Sequence, residues 1–146
     1  GMGVSYYEQM LILRQNKFLI DDLPLIWYKC RPSTLPRDYS YVSSYEVCMF
    51  GHFGEKKKRL MKPLSNLFSM QSPSEKTKVH PLQRPTELLE LWIENSSDVG
   101  DLVLDCFAGS GSTLYAARKL KRRAIGFEKD KGNYNCALQW LRETEN

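Results

Sequence analysis

The stretch that most constrains the fold of this chain is Asp101-Leu-Val-Leu-Asp-Cys-Phe-Ala-Gly-Ser-Gly-Ser-Thr113, continued by Leu114-Tyr-Ala-Ala-Arg-Lys-Leu120 and Arg123-Ala-Ile-Gly-Phe-Glu128. Leu102, Val103 and Leu104 form a short continuous apolar run, the pattern of a buried parallel strand, and the residues after Ser112 return to a helical rhythm. Between them Gly109 and Gly111 carry no Cβ, so the backbone there can approach a ligand closely. The free N–H groups that open the following helix favour a negatively charged group. The next apolar run ends in Glu128, an acceptor pair at the tip of the neighbouring strand, where a doubly wound sheet holds a ribose. Together these features read as a nucleoside-ligand site.

The spacing narrows the ligand. A dinucleotide fingerprint requires a third Gly or Ala three residues after the second glycine, and that position is Leu114. A phosphate P-loop requires Gly-Lys-Ser/Thr, and no lysine follows Gly111. What remains is Asp-x-Phe-x-Gly-x-Gly, written as Asp105, Phe107, Gly109 and Gly111. This resembles the motif that binds S-adenosylmethionine in DNA amino-methyltransferases. An NAD-dependent oxidoreductase is disfavoured by Leu114 and by the lack of a catalytic constellation.

A chain of 146 residues fits one domain, and folding buries roughly two thirds of its unfolded surface. The expected domain spans residues 2–146, with Gly1 as a tag scar before Met2. Residues 30–44 and 52–79 are variable loops suited to face DNA, and residues 80–146 are the cofactor-binding half. Lys and Arg total 21 against 17 Asp and Glu, a net +4 that suits a polyanionic partner without demanding one. Cys30, Cys48, Cys106 and Cys136 show no C-x-x-C pairing, so neither a zinc site nor a disulfide framework is indicated and no metal is expected. With no secretory signal and no apolar run long enough to cross a bilayer, a cytoplasmic protein without a membrane partner is expected.

Along the chain, Ser5-Tyr-Tyr-Glu8 has the form of a capping box. The helix it opens offers Met10, Leu11, Ile12 and Leu13 as its apolar face and ends at Asn16-Lys17, with Tyr6 and Tyr7 expected in the core in preference to a base-stacking platform. Leu25–Lys29 and Tyr45–Phe50 read as strands that pair antiparallel across a long loop. Arg31, Arg37, Asp38, Tyr39 and Tyr41 give that loop a basic, aromatic character that suits either nucleic acid or an ordinary surface loop. Lys56, Lys57, Lys58 and Arg59, with Lys62, are the densest positive cluster, which serves equally as a solvated turn or as phosphate contacts. Residues 64–79 read as an irregular connection. Pro85 and Glu87 then open a helix whose buried stripe is Leu88, Leu89, Trp92 and Ile93 and which stops by Asn95-Ser-Ser97. A last helix from about Gly132 turns Tyr134, Ala137, Leu138 and Leu141 inward. The fold class that follows is α/β: a partial doubly wound, Rossmann-like sheet with an antiparallel strand pair and helices on both faces.

With its elements placed, the chain resembles the C-terminal portion of a DNA methyltransferase of the N6-adenine and N4-cytosine amino type, in the circular order where the catalytic motif precedes the cofactor motif. Four pieces carry the resemblance: Leu25-Ile-Trp-Tyr-Lys29, Ser44-Tyr-Glu-Val-Cys-Met-Phe-Gly51, His80-Pro-Leu-Gln-Arg-Pro85, and the loop from Asp105 to Gly111 with Glu128. Two positions depart from the family pattern: Cys106 stands where proline is usual, and Arg84 where lysine is usual. The resemblance implies S-adenosylmethionine as cofactor and DNA as partner, in a restriction–modification or phage setting. Asp105, Phe107, Ala108, Gly109 and Gly111 would wrap the methionine end of the cofactor, and Glu128 would hold the ribose hydroxyls. His80, Arg84 and Pro85 would lie along its other side, with an ordinary surface histidine the competing reading of His80.

The family's chemistry also needs a Pro-Pro tetrapeptide, whose side-chain oxygen and aromatic ring hold the flipped base. The seven prolines here, Pro24, Pro32, Pro36, Pro63, Pro73, Pro81 and Pro85, are nowhere adjacent, so no catalytic residue is expected within these residues. In this circular order the tetrapeptide belongs upstream of Ser5. A truncated or mobile-element remnant, a second chain supplying the missing strand, and a gene start further upstream all remain open. The rival to an enzyme is a cofactor-binding or assembly module that pairs with a second chain or with its own copy, because an open sheet edge invites pairing.

Overall fold

The computed structural model of the chain describes residues 6–30, 41–56, 58–74 and 83–144. It divides into two compact units, Gly1–Ser69 and Met70–Asn146.

In the first unit, helix α1 (Tyr6–Gln15) ends where Asn16 Nδ2 donates to Ile12 O at 2.7 Å and Lys17 takes φ 66°. Ser5, the expected cap, lies outside the described residues. The helix runs into β1 (Phe18–Ile20), which pairs antiparallel with β4 (Gly51–Phe53). The rings of Phe18 and Phe53 meet edge-on, 5.2 Å apart. A second sheet centres on β2 (Leu25–Tyr28), flanked antiparallel by β3 (Tyr45–Cys48) and parallel by β5 (Leu67–Ser69). Trp27, paired with Glu46 and Phe68, is the buried centre of one face, and Lys29 reaches over its ring to Glu46 Oε1 at 2.8 Å. Tyr28, Tyr45, Val47 and Leu67 are exposed on the opposite face.

The antiparallel pair is thus where the residue pattern puts it, one residue shorter at Lys29 and two at Phe50. Two expectations are corrected. Residues 64–79 contain β5, which Asn66 anchors by accepting from Ile26 N at 2.7 Å and donating to Pro24 O at 2.9 Å. The apolar side of α1 is not buried: no residue of the helix is, and Tyr7, Leu11 and Ile12 are exposed. Its hydrophobic residues lie on more than one side, so a single packed face cannot cover them.

The second unit runs α2 (Thr86–Ser96), β6 (Leu102–Asp105), α3 (Ser112–Lys119), β7 (Arg123–Gly126), α4 (Lys131–Glu143). β6 and β7 pair in parallel, from Leu102 beside Arg123 to Asp105 beside Gly126. This is the strand, helix, strand crossover of a doubly wound sheet. Leu89 and Ile93 of α2 pack on Ala116 and Ala117 of α3, with Trp92, Val103, Leu120 and Ala124 around them. The two alanines lack bulk, which lets the helices approach; Leu88, also on α2, is fully buried.

Arginines close two helix ends. Arg118 donates to Leu141 O and to the carbonyl and hydroxyl oxygens of Thr144 at 3.0–3.1 Å, and Arg122 donates to Ser97 O at 2.6 Å. These bonds satisfy carbonyls that a helix end leaves unpaired. Lys119 Nζ bonds Glu90 Oε1 at 2.9 Å, and that hydrogen bond raises the lysine above its ordinary pKa.

Among the described residues, the helices of this unit gather on one face of the pair. α2 and α3 cover Val103 and Ala124, and Leu138 and Leu141 of α4 share a cleft with Leu114 and Ala124. The expectation of helices on both faces is therefore met here on the Val103 side. On the other side Leu102 is 51 % exposed, Leu104 58 %, Ile125 47 % and Phe127 60 %, so β6 is not the buried strand its apolar run suggested. An apolar run implies cover on both faces, and only one is covered here. Tyr134, expected inside α4, is also exposed, while Ala137 is buried.

Candidate functional site

The site is the turn from β6 into α3. The pairing of the two strands extends beyond their ends, with Phe127 N donating to Asp105 O at 2.9 Å and Ala108 N donating to Phe127 O at 2.8 Å. Asp105 Oδ1 accepts from Phe107 N at 3.0 Å, a short side-chain turn that folds the loop back over the strand tip. Phe107 is left 91 % exposed.

The two glycines serve different ends. Gly109 has φ 51°, and a Cβ built there would meet only Phe107 O, at 3.9 Å; the space beyond it is open. Gly111 has φ 78° at the start of α3, and its Cβ would press on Leu141 Cδ1 at 3.2 Å and Ala137 Cβ at 3.4 Å, both in α4. One glycine leaves room outside the protein and the other lets a helix close behind the loop. Ser110 and Ser112, beside Gly111, are buried.

Glu128 lies at the tip of β7 and reaches across to the loop. Its Oε2 accepts from Gly109 N at 2.9 Å, and its Oε1 accepts from Asp130 N at 2.8 Å. Asp130 in turn caps α4, its Oδ1 accepting from Asn133 N at 2.8 Å. A carboxylate, a glycine without a side chain and a helix N-terminus thus meet at the carboxyl ends of two parallel strands, where open α/β sheets bind ligands.

Asp105, Phe107, Ala108, Gly109, Gly111 and Glu128 therefore come together in one hydrogen-bonded turn. Pro85 is buried at the start of α2 and lines a cleft of about 410 Å³ with Thr86, Glu87, Tyr115 and Trp140, next to exposed Arg84. His80 lies outside the described residues, as do Arg31, Arg37 and Lys57. Lys56, Lys58 and Arg59 are exposed between β4 and β5, and Lys58 N donates to His52 Nδ1 at 3.1 Å. The site also requires a glycine at Gly126, where a Cβ would fall 2.7 Å from Leu114 and 3.0 Å from Ala108. A glycine inside an apolar strand is the sequence signal for such close approach.

The profile of a family described as DNA methylase, of N6 and N4 type, matches residues 5–139. The type II methyltransferase M.HindIII of Haemophilus influenzae is 43% identical over 77 residues, 53% of this chain and 25% of that protein. M2.DpnII of Streptococcus pneumoniae is 32% identical over 157 aligned positions, covering 97% of this chain and 58% of the relative. The chain thus spans between a quarter and three fifths of the curated relatives it matches here. Among solved structures, the M1.HpyAVI–SAM complex superimposes with a TM-score of 0.78 at 32% identity, covering 94% of this chain and 71% of that one. The cytosine-N4-specific PvuII DNA methyltransferase shares the fold, with a TM-score of 0.73 at 20% identity.

Proposed function

This chain belongs to the N6/N4 DNA methylase family, and we propose from that premise that it is the cofactor-binding part of an S-adenosylmethionine-dependent enzyme that methylates an exocyclic base amine of DNA, N6 of adenine or N4 of cytosine. The observation that carries this reading is the turn itself, where Glu128 and the open side of Gly109 lie together at the strand tips. The match to a structure solved with that cofactor supports it. Because the family profile runs across both units, residues 2–146 are read as one methyltransferase domain.

The residues present fit the cofactor. Glu128 offers paired acceptors to a ribose diol, and Gly109 offers a surface without a side chain against which the methionine end can lie. Asp105 shapes the loop, Phe107 extends an exposed ring beside it, and Ala108 and Gly111 carry the backbone around the turn. The bound cofactor supplies an electrophilic methyl on sulfur; the protein's part is to hold and orient it. His80, Arg84 and Pro85 are proposed to line its other side. Arg31, Arg37, Lys56, Lys57, Lys58 and Arg59 are proposed DNA-phosphate contacts, whose effect would be salt-dependent and indifferent to sequence.

These 146 residues contain no adjacent prolines and hence no base-holding tetrapeptide, so the polypeptide alone is expected not to transfer methyl groups. A second reading follows from the exposed apolar sheet faces: the chain acts with a second polypeptide, or with its own copy, that covers them as it completes the sheet. A cytoplasmic setting, where DNA is met, fits the absence among the described residues of any helix long and apolar enough to cross a membrane.

Calorimetry of the folded chain with S-adenosylmethionine and with S-adenosylhomocysteine tests the cofactor reading. Saturable heat is expected; silence with both ligands would overturn it. Transfer of labelled methyl to DNA by the chain alone would overturn its dependence on a complementing segment.

A further inference from the structure

We infer that Glu128 has a second task, as a positioning residue: its carboxylate holds the glycine loop in shape through the amides of Gly109 and Asp130, apart from any contact it makes with a ribose. The role given to Glu128 by the cofactor reading is direct contact with the ligand; the further step concerns what the same group does to the protein. The two amides come from opposite sides of the turn. Gly109 lies 19 residues before Glu128, in the loop after β6, and Asp130 lies two residues after it, at the cap of α4. One side chain therefore spans the gap between the loop and the next helix.

The acceptor geometry makes this compatible with ligand binding. An ionised carboxylate has about four lone-pair sites, two on each oxygen. The Gly109 bond uses a site on Oε2 and the Asp130 bond a site on Oε1, which leaves each oxygen one for an incoming hydroxyl. Such a hold matters because Gly109 sits in the left-handed region with open space where a side chain would be, so no side chain of its own anchors it. The same geometry distinguishes Glu from Gln. Both oxygens accept from backbone N–H groups, so an amide at this position would turn its own NH2 toward one of them.

Backbone amide exchange in the ligand-free full chain reads the positioning role directly. Glu128→Ala is expected to speed exchange at Gly109 by at least about tenfold, the loss of one charge-assisted hydrogen bond, and Glu128→Gln to speed it at whichever of Gly109 and Asp130 faces the new NH2. Glutamine should not rescue both amides at once, while the Val103 and Ala124 amides stay protected. In the unsubstituted chain, through-bond coupling from the Gly109 and Asp130 amide nitrogens to the Glu128 carboxyl carbon is expected, and this measurement requires no variant to fold. If affinity for S-adenosylhomocysteine falls in both variants while Gly109 exchange is unchanged, Glu128 acts on the ligand alone and the positioning role is lost. If exchange accelerates but even the unsubstituted chain binds neither cofactor nor product, the positioning role stands and the cofactor reading fails. Missing coupling at Gly109 also overturns the inference.

Discussion

The two units solve the same problem, keeping a short sheet folded, with different means. The C-terminal unit ties its loops and helix ends together with side-chain hydrogen bonds: Glu128 to the glycine loop, Asp130 to α4, Arg118 to the end of α4 and Arg122 to Ser97. The N-terminal unit has strands of three or four residues, a helix with no buried residue, and among its described residues a buried apolar set of Ile20, Trp27 and Phe68. Its exposed sheet face carries Tyr28, Tyr45, Val47 and Leu67. The difference teaches that the site-bearing unit is pre-shaped from within, whereas the other unit relies on a small core; both leave one apolar sheet face exposed.

Substitutions can break that comparison, beginning with the buried side of α2. Leu88 is fully buried, so Leu88→Ala is expected to cost about 2–5 kcal/mol in denaturant unfolding. A loss well under a kilocalorie would show that α2 is not what holds the C-terminal unit. Next comes Arg118→Met, which keeps an apolar stem and removes the bonds to Leu141 and Thr144. Hydrogen bonds from a charged donor suggest a loss of about 1.5–3 kcal/mol, with α4 amides exchanging faster than those of β6. An unaltered α4 would mean that the clip is decorative.

The glycines sharpen the contrast within the site. Gly111→Ala forces a left-handed residue against Leu141, costing about 1–2 kcal/mol in backbone strain alone, seen as a lower melting temperature. Gly109→Ala meets no such wall, so its extra effect should appear as weaker cofactor binding in calorimetry. Equal effects of the two on both readouts would refute the division of labour between them. Smallest of all is Leu104→Gln on the open face of β6, expected to change the stability of the chain alone by within about 0.5 kcal/mol. A large loss would mean that this face is already covered within the chain.

Where the residue pattern was informative, it was so for local physical reasons. The loop after Asp105 is legible because glycines at fixed offsets between a strand and a helix have few other uses. Leu88, Leu89 and Ile93 are legible because helical spacing forces them onto one side. β1, β4 and β5 were missed because three residues are too few to establish an alternation. The exposure of Leu102 and Leu104 was missed because composition along a strand says what a face can bury and not whether a neighbour arrives to bury it. The bond from Glu128 to Gly109 joins a side chain to a backbone amide far along the chain, and no periodicity encodes such a pair. The same holds for the reach of Arg118 to Thr144.

Gly111 does not stand by itself: Ala137 and Leu141 lean on it from the final helix. The last turns of the polypeptide are thus a buttress for a bend made some thirty positions earlier, close to where the strand tips open. Trimming that helix, or loading its end with a fusion partner that bends it away, would be felt first at the bend and only afterwards in the stability of the whole.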